Sequence, residues 1–504
     1  MHLYTLGSAV LLLAISTVSL GAPSSNLAQL KTCLKPLGSK VLYSNSKNYS
    51  NERYGFDLRY TYKPETIVMA KTESDVQTAV KCAKLANIPV APRSGGHSFE
   101  GYSIGGQDGS MVLDLTSMNS VKVKDGKATV GAGILLGKLY LDLFNNGGWT
   151  INAGTCPSVG IGGHALGGGF GLLSRKHGLL IDSIISMRMV NANGDLLTIS
   201  ATENKDLFFA LRGAGGGSYG VVTSFTLKPV KPAPKVTSFT YDWKLSDYDK
   251  VLKSYVKFQP KASRDIGVEM NIGPSGLEMY GVYQGVKSEQ AKAMAAFLDN
   301  APKPKSSDIR ESRYIDAILR FAYISGDPKN IDALALQGGY KPGDSRYTKG
   351  KSLVYPAVLK DSTIKLLGKW AAVTPKGSTA NYIIVDLWGG AVEDVPVSST
   401  AFIHRNAHTV FEFVAEWNEN PKAKPGIPDC QACLKWMNDM YAEFLDDYTA
   451  NYDTTVRGYQ NYIDIDIPNW KAAYYGQALT RLTQIKATSD PSNVFRFPQS
   501  IPLK

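Results

Sequence analysis

The stretch AGTCPSVGIGGHALGGGFGLLSRKHG, residues 153–178, combines dense glycine with one cysteine and two histidines. Eight of the eighteen residues from Gly154 to Gly171 are glycine. Glycine loses more conformational freedom on folding than any other residue, and it adds no side chain to a core. Glycine concentrated around Cys156 therefore predicts a backbone that must approach another group closely.

Two further glycine-rich loops flank this stretch, RSGGHS at residues 93–98 and RGAGGGSYG at residues 212–220. Loops of this kind let backbone N–H groups approach a large anionic ligand. Tight turns between strands are the alternative explanation for any one of them. Three such loops, two of which carry a nucleophilic side chain (His97 and Cys156), favour a bound cofactor.

Two familiar nucleotide-binding patterns are excluded. GIGGHA (residues 160–165) matches G-x-G-x-x-A, but that pattern needs a buried strand before it and a helix after it. INAGTCPSV is a poor strand and LGGGFG cannot sustain a helix. GAGILLGKL resembles a P-loop but has the wrong spacing.

Secondary-structure signals outside the glycine loops predict a mixed fold. Thr72, with Asp75 three residues later, forms a capping box before a helical apolar period. SIISMRMVNANGDLLTIS predicts two strands around an Asn-Gly turn. After a proline-rich link at residues 228–236, the chain to about Asp447 mixes helices with strands in which polar and apolar residues alternate, which predicts an antiparallel sheet covered by helices on one face. The last 50 residues, including YQNYIDIDIPNW, predict a short strand and an amphipathic helix.

The N-terminus and the overall charge limit where the chain can act. Within residues 1–22, an apolar run from about Ser8 to Leu20 ends in small residues, which is typical of a secretory signal cleaved after Gly21 or Ala22. No other apolar run approaches the length of a membrane span. The net charge of +11 comes from scattered lysines, so a solvated basic surface is favoured over nucleic-acid binding.

Five cysteines leave at least one without an intrachain partner in a secreted chain. Cys33 and Cys82 lie in helix-like segments and are expected to pair. Cys430 and Cys433 are expected to close a tight loop, although a C-x-x-C pattern is also a weak zinc or redox signal. Cys156 is then the unpaired cysteine. Asn48-Tyr-Ser is the one N-glycosylation sequon.

Several motifs together resemble the berberine bridge enzyme-like FAD-linked oxidases of the vanillyl-alcohol oxidase superfamily, and most of all its secreted fungal oligosaccharide oxidases. They are APRSGGHSFEGYS, VLDLTSMNSVKV, the residue 153–178 stretch, DLFFALRGAGGGSYGVVTSF, YQNYIDIDIPNW and SDPSNVFRFPQSIP. The resemblance runs from about Cys33 to the end of the chain and is thin between residues 235 and 380.

The resemblance implies an α+β fold, with a two-part FAD-binding domain of the PCMH type and a substrate domain whose antiparallel sheet is covered by helices. The implied bounds are a signal peptide at 1–22, the FAD-binding domain at 23–230, the substrate domain at 231–447, and a C-terminal segment at 448–504 that returns to the FAD-binding domain.

The resemblance also implies that FAD is held by two covalent bonds, from His97 to the 8α-methyl group and from Cys156 to C6 of the ring. His164 and His177 are expected to be structural rather than catalytic. The other residues expected at the cofactor are Arg93, Ser94, Gly95, Gly96, Ser98, Val159, Gly160, Gly162, Gly163, His164, Gly169, Val222 and Asn461.

An alcohol oxidase needs a base for the hydroxyl proton while hydride leaves for the flavin. The resemblance assigns this role to Tyr462, the second tyrosine of Tyr-x-Asn-Tyr, whose first tyrosine, Tyr459, is also placed in the catalytic set. Asp386 is expected to accept the hydrogen bond of Tyr462. Glu412 is expected either to bind substrate or to serve as an alternative base. His404 and His408 lack a third metal ligand, so no metal is expected.

Three departures weaken the match to a sugar site: Phe99 replaces a tyrosine, Ile384 replaces a glutamine, and the IGVEMNIGP strand does not reproduce an Arg and a Glu that hold sugar. Oxidation of an oligosaccharide at its anomeric hydroxyl remains the first expectation. An aromatic or aliphatic alcohol or a secondary metabolite is the second, and a non-catalytic binding protein is the third.

Val159 bears on the electron acceptor. The family has a gate for O2 three residues after the flavin-linked cysteine, where valine is typical of oxidases and a larger side chain of dehydrogenases. Val159 favours O2 as the acceptor, and a non-O2 acceptor is the alternative. The expected protein is a secreted monomer whose partners are a small-molecule alcohol and O2, without nucleic acid or membrane.

Overall fold

The computed structural model describes residues 23–322, 324, 329–336, 345–418 and 430–503. The expected signal peptide, residues 1–22, lies outside the described residues. Within the described ranges, no helix combines the length and the apolar composition needed to cross a bilayer. The described chain mixes helices with three sheets, which confirms the α+β expectation.

The first two sheets lie between Val41 and Leu227, where the FAD-binding domain is expected. One sheet has the order β1-β2-β4-β3, with β2 and β3 parallel to β4 and β1 antiparallel to β2. The other is antiparallel, with the order β5-β6-β9-β7-β8. Their strands are β1 (Val41–Leu42), β2 (Thr66–Met69), β3 (Val90–Arg93), β4 (Met111–Asp114), β5 (Val121–Lys124), β6 (Lys127–Gly131), β7 (Ile184–Val190), β8 (Leu196–Ser200) and β9 (Val221–Leu227).

Local sequence signals explain how this part of the chain folds. The Thr72 side chain accepts a hydrogen bond from the Asp75 N–H, and the Asp75 side chain accepts one from the Thr72 N–H, so the predicted capping box is confirmed. The Asn191 side chain accepts hydrogen bonds inside the predicted turn between β7 and β8. Gly194 adopts a φ of 78° there, a conformation that glycine reaches without steric cost.

The third sheet, the large sheet, is antiparallel and has the order β13-β10-β12-β11-β15-β16-β14. Its strands are β10 (Val236–Trp243), β11 (Ile266–Gly273), β12 (Gly276–Tyr283), β13 (Ser306–Ser312), β14 (Tyr347–Tyr355), β15 (Ser378–Leu387) and β16 (Thr409–Trp417).

The described α-helices flank and connect these strands. They are α1 (Pro23–Leu34), α2 (Tyr49–Glu52), α3 (Glu73–Leu85), α4 (Leu136–Asn145), α5 (Ile161–Leu166), α6 (Ser174–His177), α7 (Lys205–Ala210), α8 (Tyr248–Phe258), α9 (Lys287–Leu298), α10 (Tyr314–Arg320), α11 (Ala333–Leu336), α12 (Asp361–Ala371), α13 (Gln431–Asn451), α14 (Trp470–Tyr475) and α15 (Leu479–Ser489).

One face of the large sheet packs on helices α8, α9, α12 and α13. Side chains of opposite parity point to opposite faces of a strand, so Ile383, Val385 and Leu387 of β15 join this core. Tyr382, Ile384 and Asp386 of the same strand line a cavity instead. The helix-covered antiparallel sheet is confirmed, whereas the exact domain bounds remain predictions.

The disulfides agree with the expected pairs. Cys33 in α1 is bonded to Cys82 in α3, and Cys430 is bonded to Cys433 at the start of α13. Cys156 is the free cysteine, and it is half-buried.

The expected strand in YQNYIDIDIPNW is wrong, because residues 459–469 form turns without a sheet ladder. The alternation of apolar and polar residues is typical of a strand, but here the acidic side chains serve ion pairs. The Asp464 carboxylate contacts Lys349 and Lys351 of β14 at 2.6 and 2.8 Å, and all three side chains are buried. The expected helix follows as α15.

Candidate active site

One cavity of about 1410 Å³ joins the regions that the sequence singles out. Its walls include the residue 93–98 loop (the His97 loop), the residue 153–171 loop (the Cys156 loop) and the residue 212–220 loop. The uncovered face of the large sheet, through β11, β15 and β16, forms another wall. The three glycine loops therefore do meet at one concave site, as a shared ligand would require.

His97 and Cys156 lie in the glycine-rich part of the cavity wall, next to the same hydroxyl group. The Nε2 atom of His97 is 3.1 Å from Ser158 Oγ, and the Sγ atom of Cys156 is 3.5 Å from that oxygen. Phe56 stacks on the His97 ring at 4.3 Å between centroids. Burial, together with the nearby Arg346, lowers the pKa of His97 to about 4, so its imidazole is neutral at pH 7.

Glycine is required in these loops for two different structural reasons. A Cβ on Gly95 would lie 2.2 Å from the Gly160 nitrogen, and one on Gly160 would lie 2.0 Å from the Gly95 nitrogen. The His97 and Cys156 loops thus cross backbone to backbone, which only glycine permits. By contrast, a Cβ on Gly163 or Gly216 would meet no atom within 4 Å, and both residues line the cavity. Their missing side chains leave room for a flat ligand.

Most of the expected cofactor residues line the cavity. These are Ser94, Gly95, Gly96, His97, Ser98, Cys156, Val159, Gly160, Gly162, Gly163, His164, Val222 and Asn461. Arg93 and Gly169 are not among the lining residues. Arg93 is buried in a salt bridge with Asp114 at 2.6 Å, which fixes the end of β3 before the His97 loop. Gly169 donates its N–H to the Tyr459 hydroxyl at 3.0 Å.

The C-terminal segment is held against the Cys156 loop by its own polar groups. Asn461 donates hydrogen bonds to the His164 carbonyl at 3.0 Å and to the Tyr459 hydroxyl at 2.7 Å. His164 in turn accepts the Gly154 N–H at Nε2, and burial lowers its pKa to about 4. His164 and Asn461 therefore brace the cavity wall, as expected for a structural histidine.

Tyr462 projects into the cavity from an aromatic frame. Its ring lies 6.2 Å from Phe99, 6.1 Å from Phe170 and 5.0 Å from Tyr459, measured between centroids. Glu412 of β16 hydrogen bonds to Tyr462. Burial, and then the carboxyl groups of Glu412 and Asp386, raise the pKa of Tyr462 well above its usual range. Tyr462 is therefore protonated at neutral pH and can take a proton only by passing its own to a neighbour.

Asp386, Glu412 and Glu269 form a carboxyl cluster on the uncovered face of the large sheet. Glu269 of β11 is the direct cross-strand partner of Asp386 of β15, and the two side chains hydrogen bond to each other. The Tyr280 hydroxyl donates to Glu269. The Oδ2 atom of Asp386 is buried without a hydrogen-bond partner. Within the described residues, no lysine or arginine forms a salt bridge with any of the three.

Burial dominates the protonation of this carboxyl cluster. Burial and the neighbouring carboxyl groups raise the pKa of Glu412 to about 8 and that of Glu269 to about 7. The same causes raise the pKa of Asp386 well above its usual range. Burial disfavours the charged form of a carboxyl group, and a nearby carboxylate adds to this effect. In place of the expected hydrogen bond from Tyr462 to Asp386, Tyr462 hydrogen bonds to Glu412, and Asp386 hydrogen bonds to Glu269.

Glu269 is the site residue that the sequence reasoning missed. The period-2 pattern of IGVEMNI places Gly267, Glu269 and Asn271 on one face, and all three line the cavity. This pattern could have revealed the glutamate, although not its partner on a distant strand. Phe99 and Ile384, the other two departures, also line the cavity. The described residues contain no cluster of His, Cys, Asp or Glu suited to a metal ion.

Comparison with known proteins agrees with this geometry. Residues 64–200 match the model of the FAD binding domain family, and residues 458–502 match that of the berberine and berberine-like family. The xylooligosaccharide oxidase of Thermothelomyces thermophilus is 32% identical over 495 residues, which are 95% of each chain.

Two solved structures extend the likeness to the fold. BBE-like 1 of Physcomitrella patens is 37% identical, with a TM-score of 0.85 over 94% of this chain and 99% of its own. The glucooligosaccharide oxidase of Acremonium strictum, described with a 6-S-cysteinyl, 8α-N1-histidyl FAD, is 26% identical, with a TM-score of 0.84 over 94% of this chain and 99% of its own.

Proposed function

This chain belongs to the berberine bridge enzyme-like FAD-linked oxidoreductases, and from that premise we propose that it oxidises the anomeric C1 hydroxyl of an oligosaccharide to a lactone while O2 is reduced to H2O2. The observation that carries the proposal is the single cavity in which His97 and Cys156 face Tyr462 and the carboxyl cluster.

We propose that His97 and Cys156 each bond FAD covalently. Their contact with one hydroxyl, Ser158 Oγ, supports attachment at neighbouring positions of one ring. The neutral imidazole of His97 supports its role as a nucleophile, and Gly163 and Gly216 leave room along the ring. When bound, the flavin supplies the hydride acceptor and passes electrons on to O2.

The protein's own task in the reaction is to take the hydroxyl proton. The O–H bond of the substrate breaks and its proton goes to the Tyr462 oxygen, while the Tyr462 proton goes to the carboxylate of Glu412. The C1–H bond would break with its electron pair, and the flavin, when bound, would accept the resulting hydride. Glu412 must be ionised to accept the proton. Asp386, on the neighbouring strand β15, helps to position the groups of the site.

An oligosaccharide fits the outer part of the cleft. Beyond Asp386 the cavity extends past polar side chains that include Glu278, Ser306 and Thr379, which can hydrogen bond to sugar hydroxyls. Phe99 and Ile384 make the cavity less polar, and Phe99 does so beside Tyr462. For this reason an aromatic or aliphatic alcohol is the second candidate substrate. The fungal xylooligosaccharide oxidase at 32% identity favours the sugar.

We also propose that the protein is a secreted, N-glycosylated monomer. Two disulfides suit an oxidising compartment, and Asn48 of the sequon is exposed. Digestion with an N-glycosidase should increase the gel mobility of the secreted protein, and Asn48→Gln should remove that change.

A panel of oligosaccharides and simple alcohols with peroxide detection tests the proposed reaction. We expect H2O2 from oligosaccharides, with a lactone or aldonic acid as the product. Tyr462→Phe should lose activity, whereas Tyr43→Phe, a change in a half-buried tyrosine elsewhere in the fold, should retain it. Activity on aromatic or aliphatic alcohols alone would favour the second candidate. Turnover only with a quinone or dye would make the protein a dehydrogenase.

A further inference from the structure

The contact between Glu269 and Asp386 brings two acidic groups together without a cation. They face each other directly across β11 and β15, where side chains of an antiparallel pair lie within contact distance. Both side chains line the cavity; Asp386 is buried and Glu269 is half-buried. A hydrogen bond between two carboxyl groups requires one proton, because two carboxylates have only acceptors.

We propose that Glu269 and Asp386 hold one proton between them, and that Glu269 is a positioning residue that sets the charge beside Tyr462 and Glu412. Like-charged carboxyl groups in contact do not both ionise in the neutral range. The pair therefore carries a single negative charge, and Glu412 is left as the group that ionises to accept the proton of Tyr462.

A second observation points from this pair to a ligand. Asp386 is 5% exposed, and its Oδ2 atom is buried without a hydrogen-bond partner beside the cavity. A buried oxygen of this kind costs free energy unless it is bonded. Because the shared proton engages one carboxyl oxygen of Asp386, the other oxygen remains an acceptor for a substrate hydroxyl. The Tyr280 hydroxyl satisfies Glu269 on the opposite side.

Among the described residues, the ionisable groups that act on the pair are acidic or phenolic. They are Glu412 of β16, Glu278 and Tyr280 of β12, Tyr382 of β15, Tyr255 of α8, and Tyr459 and Tyr462 of the C-terminal segment. Arg175 of α6 also lines the cavity, but its guanidinium donates to the carbonyl oxygens of Trp388, Ala262 and Ser263.

Infrared spectroscopy of the holoenzyme tests the shared proton without any substrate. At pH 9, where Glu412 is ionised, the wild type should retain a protonated-carboxyl C=O band that shifts in D2O. Glu269→Gln and Asp386→Asn should each lose this band, because an amide can donate to the remaining carboxylate. Glu412→Gln should keep it. Absence of the band in the wild type, or its survival in Glu269→Gln, would overturn the proposal.

The kinetic test rests on the proposed function. In anaerobic stopped-flow experiments, Glu269→Leu, which leaves Asp386 neutral, should move the acidic limb of the pH profile for flavin reduction to lower pH by at least about one unit. Glu269→Gln, which leaves one carboxylate on Asp386, should leave that limb in place, and the dissociation constant of the oligosaccharide should change less than about threefold on the plateau. A limb that does not move in Glu269→Leu, with binding weakened tenfold or more, would make Glu269 a substrate ligand only. Covalent flavin that is retained in each variant shows that the variant folds. If no sugar reduces the flavin, the proposed function is rejected, and the infrared experiment still tests whether Glu269 and Asp386 share a proton.

Discussion

Replacement of Glu412 by glutamine should make the protein more stable and less active at the same time. Glu412 is 7% exposed, lies in the carboxyl cluster and has no cationic partner among the described residues. Glutamine keeps the size of the side chain and can still accept the hydrogen bond of Tyr462. The change therefore isolates the ability of residue 412 to ionise.

The magnitude follows from the pKa of Glu412, which burial raises from 4.5 to about 8. Between these values the folded state binds more protons than the unfolded state, so the free energy of unfolding falls as the pH rises. At about 1.36 kcal/mol per pH unit, the proton that the folded state retains on Glu412 lowers the free energy of unfolding by about 1 kcal/mol at pH 5 and about 4 kcal/mol at pH 8. Glu412→Gln removes this loss.

Urea unfolding of the two holoenzymes at pH 4.5, 6 and 8 measures the effect. The stabilities should converge at the lowest pH and separate progressively towards pH 8, with the variant more stable. Glu203→Gln, a change at an exposed glutamate, is the matched control and should show no such separation. Flavin reduction should slow by about 10²–10⁴-fold. Equal stability at pH 8 would refute the buried, protonated state, and unchanged reduction would assign the proton to another acceptor.

Three further outcomes test the cofactor, the base and the electron acceptor. His97→Ala combined with Cys156→Ala should abolish acid-stable flavin attachment, and each single variant should keep one bond; flavin that stays attached in the double variant would contradict the assignment. Tyr462→Phe should slow anaerobic flavin reduction by about 10²–10⁴-fold with flavin incorporation intact, and near-normal reduction would move the role to Glu412. Val159→Ile should slow reoxidation by O2 without slowing reduction, and a native enzyme that reoxidises slowly but turns over with a quinone would be a dehydrogenase.

Local patterns were sufficient to predict several individual elements. The capping box at Thr72, the turn at Asn191 and the alternation of β15 each depend on residues close together in sequence. The roles of His97 and Cys156 came from the resemblance of whole motifs, since no spacing rule links two residues on separate loops. Their common contact with Ser158 needed the fold, in which Gly95 and Gly160 bring the loops together.

The carboxyl cluster could not be predicted because strand order decides it. β11 pairs with β15, and β15 with β16, across long intervening segments that contain other strands and helices. A shift of one residue in the register of β11 would turn Glu269 towards the helix-covered face. The sequence pattern locates each acid on a face of its own strand, but only the register makes Glu269 and Asp386 neighbours.

The position of Tyr462 depends on a buried network of ion pairs. The alternating pattern of its own segment is typical of a strand and does not indicate this network. Lys349 of β14 contacts Glu100, just beyond the His97 loop, at 2.7 Å and Asp464, two residues after Tyr462, at 2.6 Å. Burying these charges is costly, and removing one partner leaves the other uncompensated. The network thus fixes Tyr462, the proposed base, relative to the His97 loop through β14. The alternating acids in YIDIDI are needed for this contact, which is why a strand-like sequence folds here as turns.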